Sequence, residues 1–243
     1  MGAPLPGVLP LTNTGAVPVA VPSPPRAYPS TSRRARQLLE LASTAVPFCA
    51  WAVGYRDARS GTMRPLVHAG YRPELIDFIF GEFGELPLTR RLLARTGTPY
   101  FWEDIAGFAD GPVARDVLRP SGFTEGSSMS LRGTDGRPVG VAHLSLAEDR
   151  VPANARAILA SLTEALGELA ETTSRASGLS LTPREGEVLA LVAKGRTNPQ
   201  ICAELRLSRS TVGTHIEHIL AKMGVATRVE AVARAFALDL VAP

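Results

Sequence analysis

The stretch Leu181–Ala235, LTPREGEVLALVAKGRTNPQICAELRLSRSTVGTHIEHILAKMGVATRVEAVARA, divides into four short helices, each with its own start or stop chemistry. The first opens with Thr182 and Glu185 at capping-box spacing and Pro183 at the first helical position, and it stops at Lys194-Gly195. The second has Asn198 as N-cap with Pro199 next, and runs to about Leu205. Ser208 caps the third, whose end is marked by Gly224, and Thr227 with Glu230 boxes the fourth. Two helices joined by the short turn Arg206 to Ser208, braced by a third, predict a helix-turn-helix reader of double-stranded DNA.

Spacing alone divides the third helix. Val212, Ile216, Ile219 and Met223 share one face, while Gly213, Thr214, Glu217 and Ala221 lie on the other, which can meet DNA. The N-terminal half is uncharged apart from Arg209 and small at Gly213, so the backbone can approach the major groove closely. The last helix carries Val229, Val232, Ala233, Phe236, Ala237 and Leu240, more apolar residues than one buried face of a small domain needs. Either part of that stripe pairs with a second copy or it packs entirely within its own domain.

The whole stretch resembles the LuxR (GerE) family of helix-turn-helix transcription regulators, from residue 181 to about 240. The resemblance rests on the opening LTPRE, the Gly195 and Asn198 turn, Ile201, Ser210 to Val212, His215, Ile219, and Lys222 to Val225. It implies that Thr211 and Lys222 touch phosphates and that Gly213, Thr214 and Glu217 face base edges; Arg209 and Ser210 are further candidate DNA-binding residues. It also implies a homodimer joined through the last helix, at Val229, Val232, Ala233 and Phe236, that reads two half-sites. Two positions depart from the family's usual pattern, which often has lysine at 213 and a basic residue at 217. Glu217 either accepts from a cytosine amino group or repels phosphate.

At 243 residues the chain is long enough for two modest domains. Apolar residues at 45% and charged residues at 20% exclude collagen-like and wholly disordered classes, and no apolar run reaches the roughly 20 residues of a membrane span. Cys49 and Cys202 lie far apart, which suggests neither a disulfide framework nor a cysteine metal site and fits a reducing cytosol. Residues 1–39 hold Arg26, Arg33, Arg34 and Arg36 and no acid; residues 40–177 sum to −3 and residues 178–243 to +2. The middle of the chain would not attract DNA. Lys194 and Lys222 are the only lysines, so arginine carries the basic excess.

Residues 1–30 hold eight of the twenty prolines and read as a disordered tail, with no signal-peptide pattern. A helix is expected over Thr31 to Val46, with Leu38, Leu39, Leu41, Ala42 and Ala45 on one side. FCAWAVGYRD and MRPLVHAGYR read as a hairpin about Ser60-Gly61, and PELIDFIFGEF and PLTRRLLARTG as helices. PYFWEDI reads as a strand and Pro112 to Leu118 as a short helix. EGSSMSLRG and RPVGVAHLSLA form a second hairpin about Asp135-Gly136, followed by a long helix from about Ala153 to Arg175. SRASGLS, residues 174–180, reads as a linker. The expected fold is therefore an α+β domain over 31–173, an antiparallel sheet covered by helices, followed by an all-α four-helix domain over 181–243.

The element order, with TGTPYFWEDI and GSSMSLRGTDGRPVGVAHLSLAED, resembles a GAF domain over about 33–172. That resemblance implies a small-molecule or protein-interaction sensor and names no ligand. A receiver domain is not expected, because the first acid, Glu40, falls in a helix. An acyl-homoserine-lactone sensor is a rival reading, although the spacing of Trp51, Tyr55 and Asp57 suits it poorly. If a pocket exists, its lining would be drawn from Trp51, Tyr55, Phe78, Phe101, Trp102, Met129 and His143, although each of these is more often a core residue than a ligand contact. His68 and His143, without cysteine or carboxylate company, do not suggest a metal or haem, and no other cofactor is expected. No paired nucleophile and base, no resolving thiol for Cys49 and no phosphate-cradling glycine loop is present, so an enzyme is not expected. Two functions stay open: a regulator whose first domain binds an effector, or one whose first domain is a filled scaffold that dimerises or recruits a protein. RNA polymerase is a further partner open to either, and a membrane is not.

Overall fold

The computed structural model describes residues 29–94, 98–146 and 148–241. The reading of the tail falls, but for its last two residues, outside them. The chain forms two compact units, one built on Arg34–Arg56 and Thr62–Glu171, the other on Thr172–Pro243 with two short upstream segments.

In the first unit, β1 (Phe48–Arg56) and β2 (Met63–Ala69) form a hairpin, and β4 (Glu125–Arg132) and β5 (Pro138–Leu146) form another. The sheet order is β2-β1-β5-β4-β3, with β3 (Tyr100–Phe101) at one edge and every pairing antiparallel. Gly61 and Gly136, at φ 72° and 77°, make the turns that the two hairpins require. Both sheet faces are covered, so β1, β4 and β5 are buried almost throughout rather than alternating with solvent.

One face carries Trp51, Tyr55, Phe101, Met129 and Leu131 under α5 (Ala155–Ser177) and α1 (Pro29–Ser43). Arg36 of α1 stacks over Trp51 at 5.5 Å, and Arg156 of α5 lies 4.9 Å from the Phe101 ring centre. Gly167 lets α5 close onto β4: a Cβ there would stand 2.3 Å from the Arg132 carbonyl oxygen. The other face carries Ala50, Ala52, Val141 and His143 under α2 (Pro73–Phe80), α3 (Glu82–Glu85), α4 (Pro87–Ala94) and the segment around Val113–Phe123. Together these elements make the expected α+β architecture.

Several boundaries differ from expectation. α1 spans 29–43 rather than 31–46, and buries Ala35, Leu39 and Ala42 while Leu41 is 70% exposed, because two residues of helix rotate Leu41 well away from the Leu39 stripe. The strand expected at PYFWEDI stops after two residues. Glu125, buried, accepts from the Trp102 and Glu103 amides at 2.7 and 3.2 Å, which takes those N–H groups out of the ladder and turns Trp102–Asp104 into a 3-10 turn. PELIDFIFGEF is two helices broken at Gly81, and the helix at 112–118 contains a π turn over Ala114–Leu118. α5 extends through Ser177, so the first four residues of the expected linker are helical.

The second unit contains α6 (Pro183–Ala193), α7 (Asn198–Leu205), α8 (Arg209–Met223) and α9 (Arg228–Ala237) around Val188, Leu189, Val192, Ile201, Val212, Ile219, Met223, Ala231 and Ala235. This is the expected all-helical arrangement.

Candidate nucleic-acid interface and ligand cleft

The turn between α7 and α8 sets the geometry of the reading head. Arg206 takes the left-handed conformation, φ 54°, which closes α7, and Leu207 donates its amide back to the Cys202 carbonyl at 3.0 Å. Ser208 then caps α8, its hydroxyl accepting from the Thr211 amide at 3.1 Å, and Gly224 at φ 61° ends the helix. The boxes at Thr182/Glu185 and Thr227/Glu230 are present as expected. The cap of α7 is Thr197 instead of Asn198, with its amide donating to Gln200 Oε1 at 2.8 Å. Asn198 is thereby free to accept from Arg228 at 3.0 Å, which ties α9 to α7.

α8 divides as its spacing requires. Val212, Ile219 and Met223 are buried and Ile216 is half-buried, while Arg209, Ser210, Thr211, Thr214 and Glu217 are exposed and Gly213 is half-exposed. The hydroxyls of Ser208, Ser210 and Thr211 form a cluster at the helix start, those of Ser210 and Thr211 both lying 2.8 Å from Ser208 Oγ. Gly213 has nothing within 4 Å of where a Cβ would stand, so no packing inside the unit requires glycine there.

Lys222 is placed differently from the rest. Its ammonium donates to both carboxylate oxygens of Glu185, at 3.0 and 2.7 Å, and to the Ser180 carbonyl at 3.1 Å. All three of its protons are used inside the unit. Burial raises the Glu185 carboxyl, but the Lys222 and Thr182 hydrogen bonds outweigh it and hold the group below its usual range. Arg184 is held by Glu187 and the Leu205 carbonyl, Arg196 by Glu204, and Arg228 by Asn198 and the Arg196 carbonyl. Among the described residues from α6 to α9, Lys194, Arg206, Arg209 and Arg234 are the cations without such a partner. Two of these, Arg206 and Arg209, flank the start of α8. Sequence reasoning singled out Arg209 and missed Arg206; its place in the turn just before the Ser208 cap was the available signal.

On α9, Val229 is 78% and Phe236 41% exposed, with Ala233 exposed between them and Val232 half-buried. Residues 229, 233 and 236 fall on one helix face.

In the first unit a small cleft lies on the sheet face beneath α2 and α3. It is lined by Tyr71, Phe78, Ile79, Phe83, Trp102, Leu118 and the strand residues 127–128 and 143–145. Phe78, Trp102 and His143, of the residues expected to line a pocket, meet there. Trp51, Tyr55, Phe101 and Met129 do not, because strand alternation and register send them to the α5 face. The cleft holds about 30 Å³, room for roughly one or two waters. Two pairs of its polar groups bond each other, Tyr71 with Ser145 at 2.8 Å and Ser128 with His143 Nδ1 at 2.8 Å, while the hydroxyl of Ser127, another lining residue, is buried without a partner. Burial lowers the His143 imidazole to about 4, so it is neutral near pH 7. Among the described residues no cluster of metal-binding side chains forms, and no helix is long and apolar enough to cross a membrane.

Residues 179–235 match the profile of the bacterial regulatory proteins of the luxR family, and this segment is a LuxR-type helix-turn-helix domain. Over 52 residues the chain is 50% identical to the transcriptional regulatory protein LiaR of Bacillus subtilis, covering 21% of this chain and 25% of that one. Over 51 residues it is 47% identical to the nitrate/nitrite response regulator protein NarL of Escherichia coli, covering 21% and 24%. The chain thus spans about a quarter of the length of these relatives. A crystal structure of Escherichia coli SdiA aligns with 87% of this chain and 92% of its own at 16% identity and a TM-score of 0.44. The GAF domain/HD domain protein from Geobacter sulfurreducens aligns with 60% and 93% at 19% identity, also with a TM-score of 0.44.

Proposed function

We propose that this protein is a dimeric, sequence-specific DNA-binding transcription regulator, working in the cytoplasm, whose first unit responds to a small molecule. The observation that carries the DNA reading is the exposed leading face of α8 in a LuxR-type domain, flanked by two unpartnered guanidinium groups, Arg206 and Arg209. Relatives of this domain are a transcriptional regulatory protein and a response regulator. α8 enters the major groove, Arg206, Arg209, Ser210 and Thr211 meet the phosphates, and Gly213, Thr214 and Glu217 face the base edges. Lys222 serves the fold of the head, since its protons are already committed. α9 joins two heads through Val229, Val232, Ala233 and Phe236.

The test uses a duplex selected by the protein from a random library. Arg206→Ala and Arg209→Ala should each weaken binding and make the salt dependence shallower by about one phosphate contact. An unchanged slope in both variants would place the interface elsewhere.

One observation favours a second reading of the first unit. Its cleft is nearly filled, as a dimerisation or protein-recruiting scaffold would be. A sensor gains melting temperature with its ligand, and a scaffold does not.

A further inference from the structure

We propose that the cleft beneath α2 and α3 selects an uncharged, ring-sized, largely apolar molecule carrying one hydroxyl, carbonyl or amide group that engages Nε2 of His143. The inference rests on the sensing role of the first unit proposed above.

The walls are Phe78, Ile79, Phe83, Trp102 and Leu118, and no Asp, Glu, Lys or Arg is among the lining residues. A charged guest would surrender its hydration there and find no counter-charge.

The polar floor is almost satisfied by itself, which limits what a guest can add. Tyr71 and Ser145 bond each other, and Ser128 occupies His143 Nδ1. What is left is His143 Nε2 and the Trp102 indole N–H, neither of which has a hydrogen-bond partner among the described residues, together with the buried hydroxyl of Ser127, whose place on the strand alternates with Ser128 and so lies on the α5 side. His143 is 4% exposed, and its ring is wedged edge-on against Phe80 and Phe83, with ring centres 6.1 and 5.5 Å away. A neutral imidazole with one nitrogen fixed by a serine hydroxyl offers a single oriented donor or acceptor at the other. Recognition by one such group inside aromatic walls suits a neutral ring with one polar substituent.

The volume adds a condition. At about 30 Å³ the cleft admits a ring only if Phe78 and Phe83 give way. These two side chains sit on α2 and α3, short helices that meet at Gly81, so the guest enters by displacing this wall and leaves the sheet in place.

The experiment follows the indole and imidazole signals of isotopically labelled full-length protein while four fragments of matched size are added: benzamide, phenol, benzoate and benzylammonium. Trp102→Phe identifies which of the two indole signals belongs to Trp102. Benzamide or phenol should shift the Trp102 indole signal saturably, and benzoate and benzylammonium should not at the same concentration. Binding should weaken at least tenfold in His143→Phe, and Ser128→Ala, a milder change, should alter affinity without unfolding the unit. If a charged fragment binds as well as its neutral counterpart, the ligand class is wrong and the sensing role survives. If none of the four shifts the signal, the cleft is closed to rings and this ligand class fails, while the sensing role stands or falls on the melting-temperature test.

Discussion

The Lys222 ammonium stands 2.7 Å from Oε2 of Glu185, a carboxylate only 3% exposed, so the C-terminal turn of the reading helix is fastened to the N-terminal turn of α6. Glu185 simultaneously accepts from the Thr182 amide at 2.7 Å and completes the cap of α6. One buried carboxylate thus holds two helix ends, and the lysine that neutralises it is engaged inside the unit.

Lys222→Met should therefore act on stability before it acts on binding. Leaving Glu185 buried without its partner costs about 3 kcal/mol. Urea unfolding of the full-length protein should show a lower midpoint for its C-terminal unit, and Lys222→Met with Glu185→Leu should lose less than the two single changes summed. A Lys222→Met protein of normal stability but weak DNA binding would return the lysine to the phosphates.

Gly213→Ala has opposite expected effects on folding and on binding. Glycine within a helix costs roughly 0.5–1 kcal/mol relative to alanine, and a methyl group here would meet nothing within 4 Å. The variant should melt higher while binding its selected duplex more weakly, because the methyl group occupies the gap through which the helix backbone approaches the groove. Higher stability with undiminished affinity would show that Gly213 does not lie at the DNA.

Exposed apolar surface on α9 gives the third expectation. Val229→Glu and Phe236→Glu would remove the apolar contact proposed between heads without disturbing the buried side of the helix, at Ala231 and Ala235. Affinity for paired half-sites, measured by gel shift, should fall toward that for a single half-site, with helix content unchanged. Undiminished cooperativity in both variants would assign head pairing to another surface.

Acid should destabilise the first unit. His143 takes up its proton at about 4 when folded and at about 6.5 when unfolded, so the unfolded chain binds the proton first. Its contribution is complete above pH 6.5 and is lost as pH falls toward 4, about 3 kcal/mol in all. His68, lowered by burial and then by the Arg36 charge, adds in the same direction. Denaturation midpoints at pH 7.5 and 5 should differ by much less in His143→Gln than in the parent protein. An equal difference would move the titration to another group.

The caps at Thr182, Ser208 and Thr227 and the turns at Gly61, Gly136 and Gly224 were legible because each depends on residues within four positions of one another. The face of α8 was legible for the same reason, since a helix repeats every 3.6 residues wherever it lies. Asn198 was the misleading case. Thr197 and Asn198 are both good caps, and the choice between them is made by Arg228, thirty residues on, which claims the asparagine oxygen.

What the sequence by itself determined is the local grammar: two hairpins, the long helix, the four-helix head and the face of α8 that stays polar. Which aromatic residues share a cleft was decided only by tertiary structure. Trp51 and Ala52 are adjacent in the chain, yet alternation sends one toward α5 and the other, paired across the strands with His143, toward α2. The fate of Lys222 was decided in the same way, by a carboxylate 37 residues earlier that folding brings within reach. Periodicity and capping act over a few residues and can be read from order alone. Strand register and buried charge pairing join residues far apart in the chain, and they exist only once the core has closed.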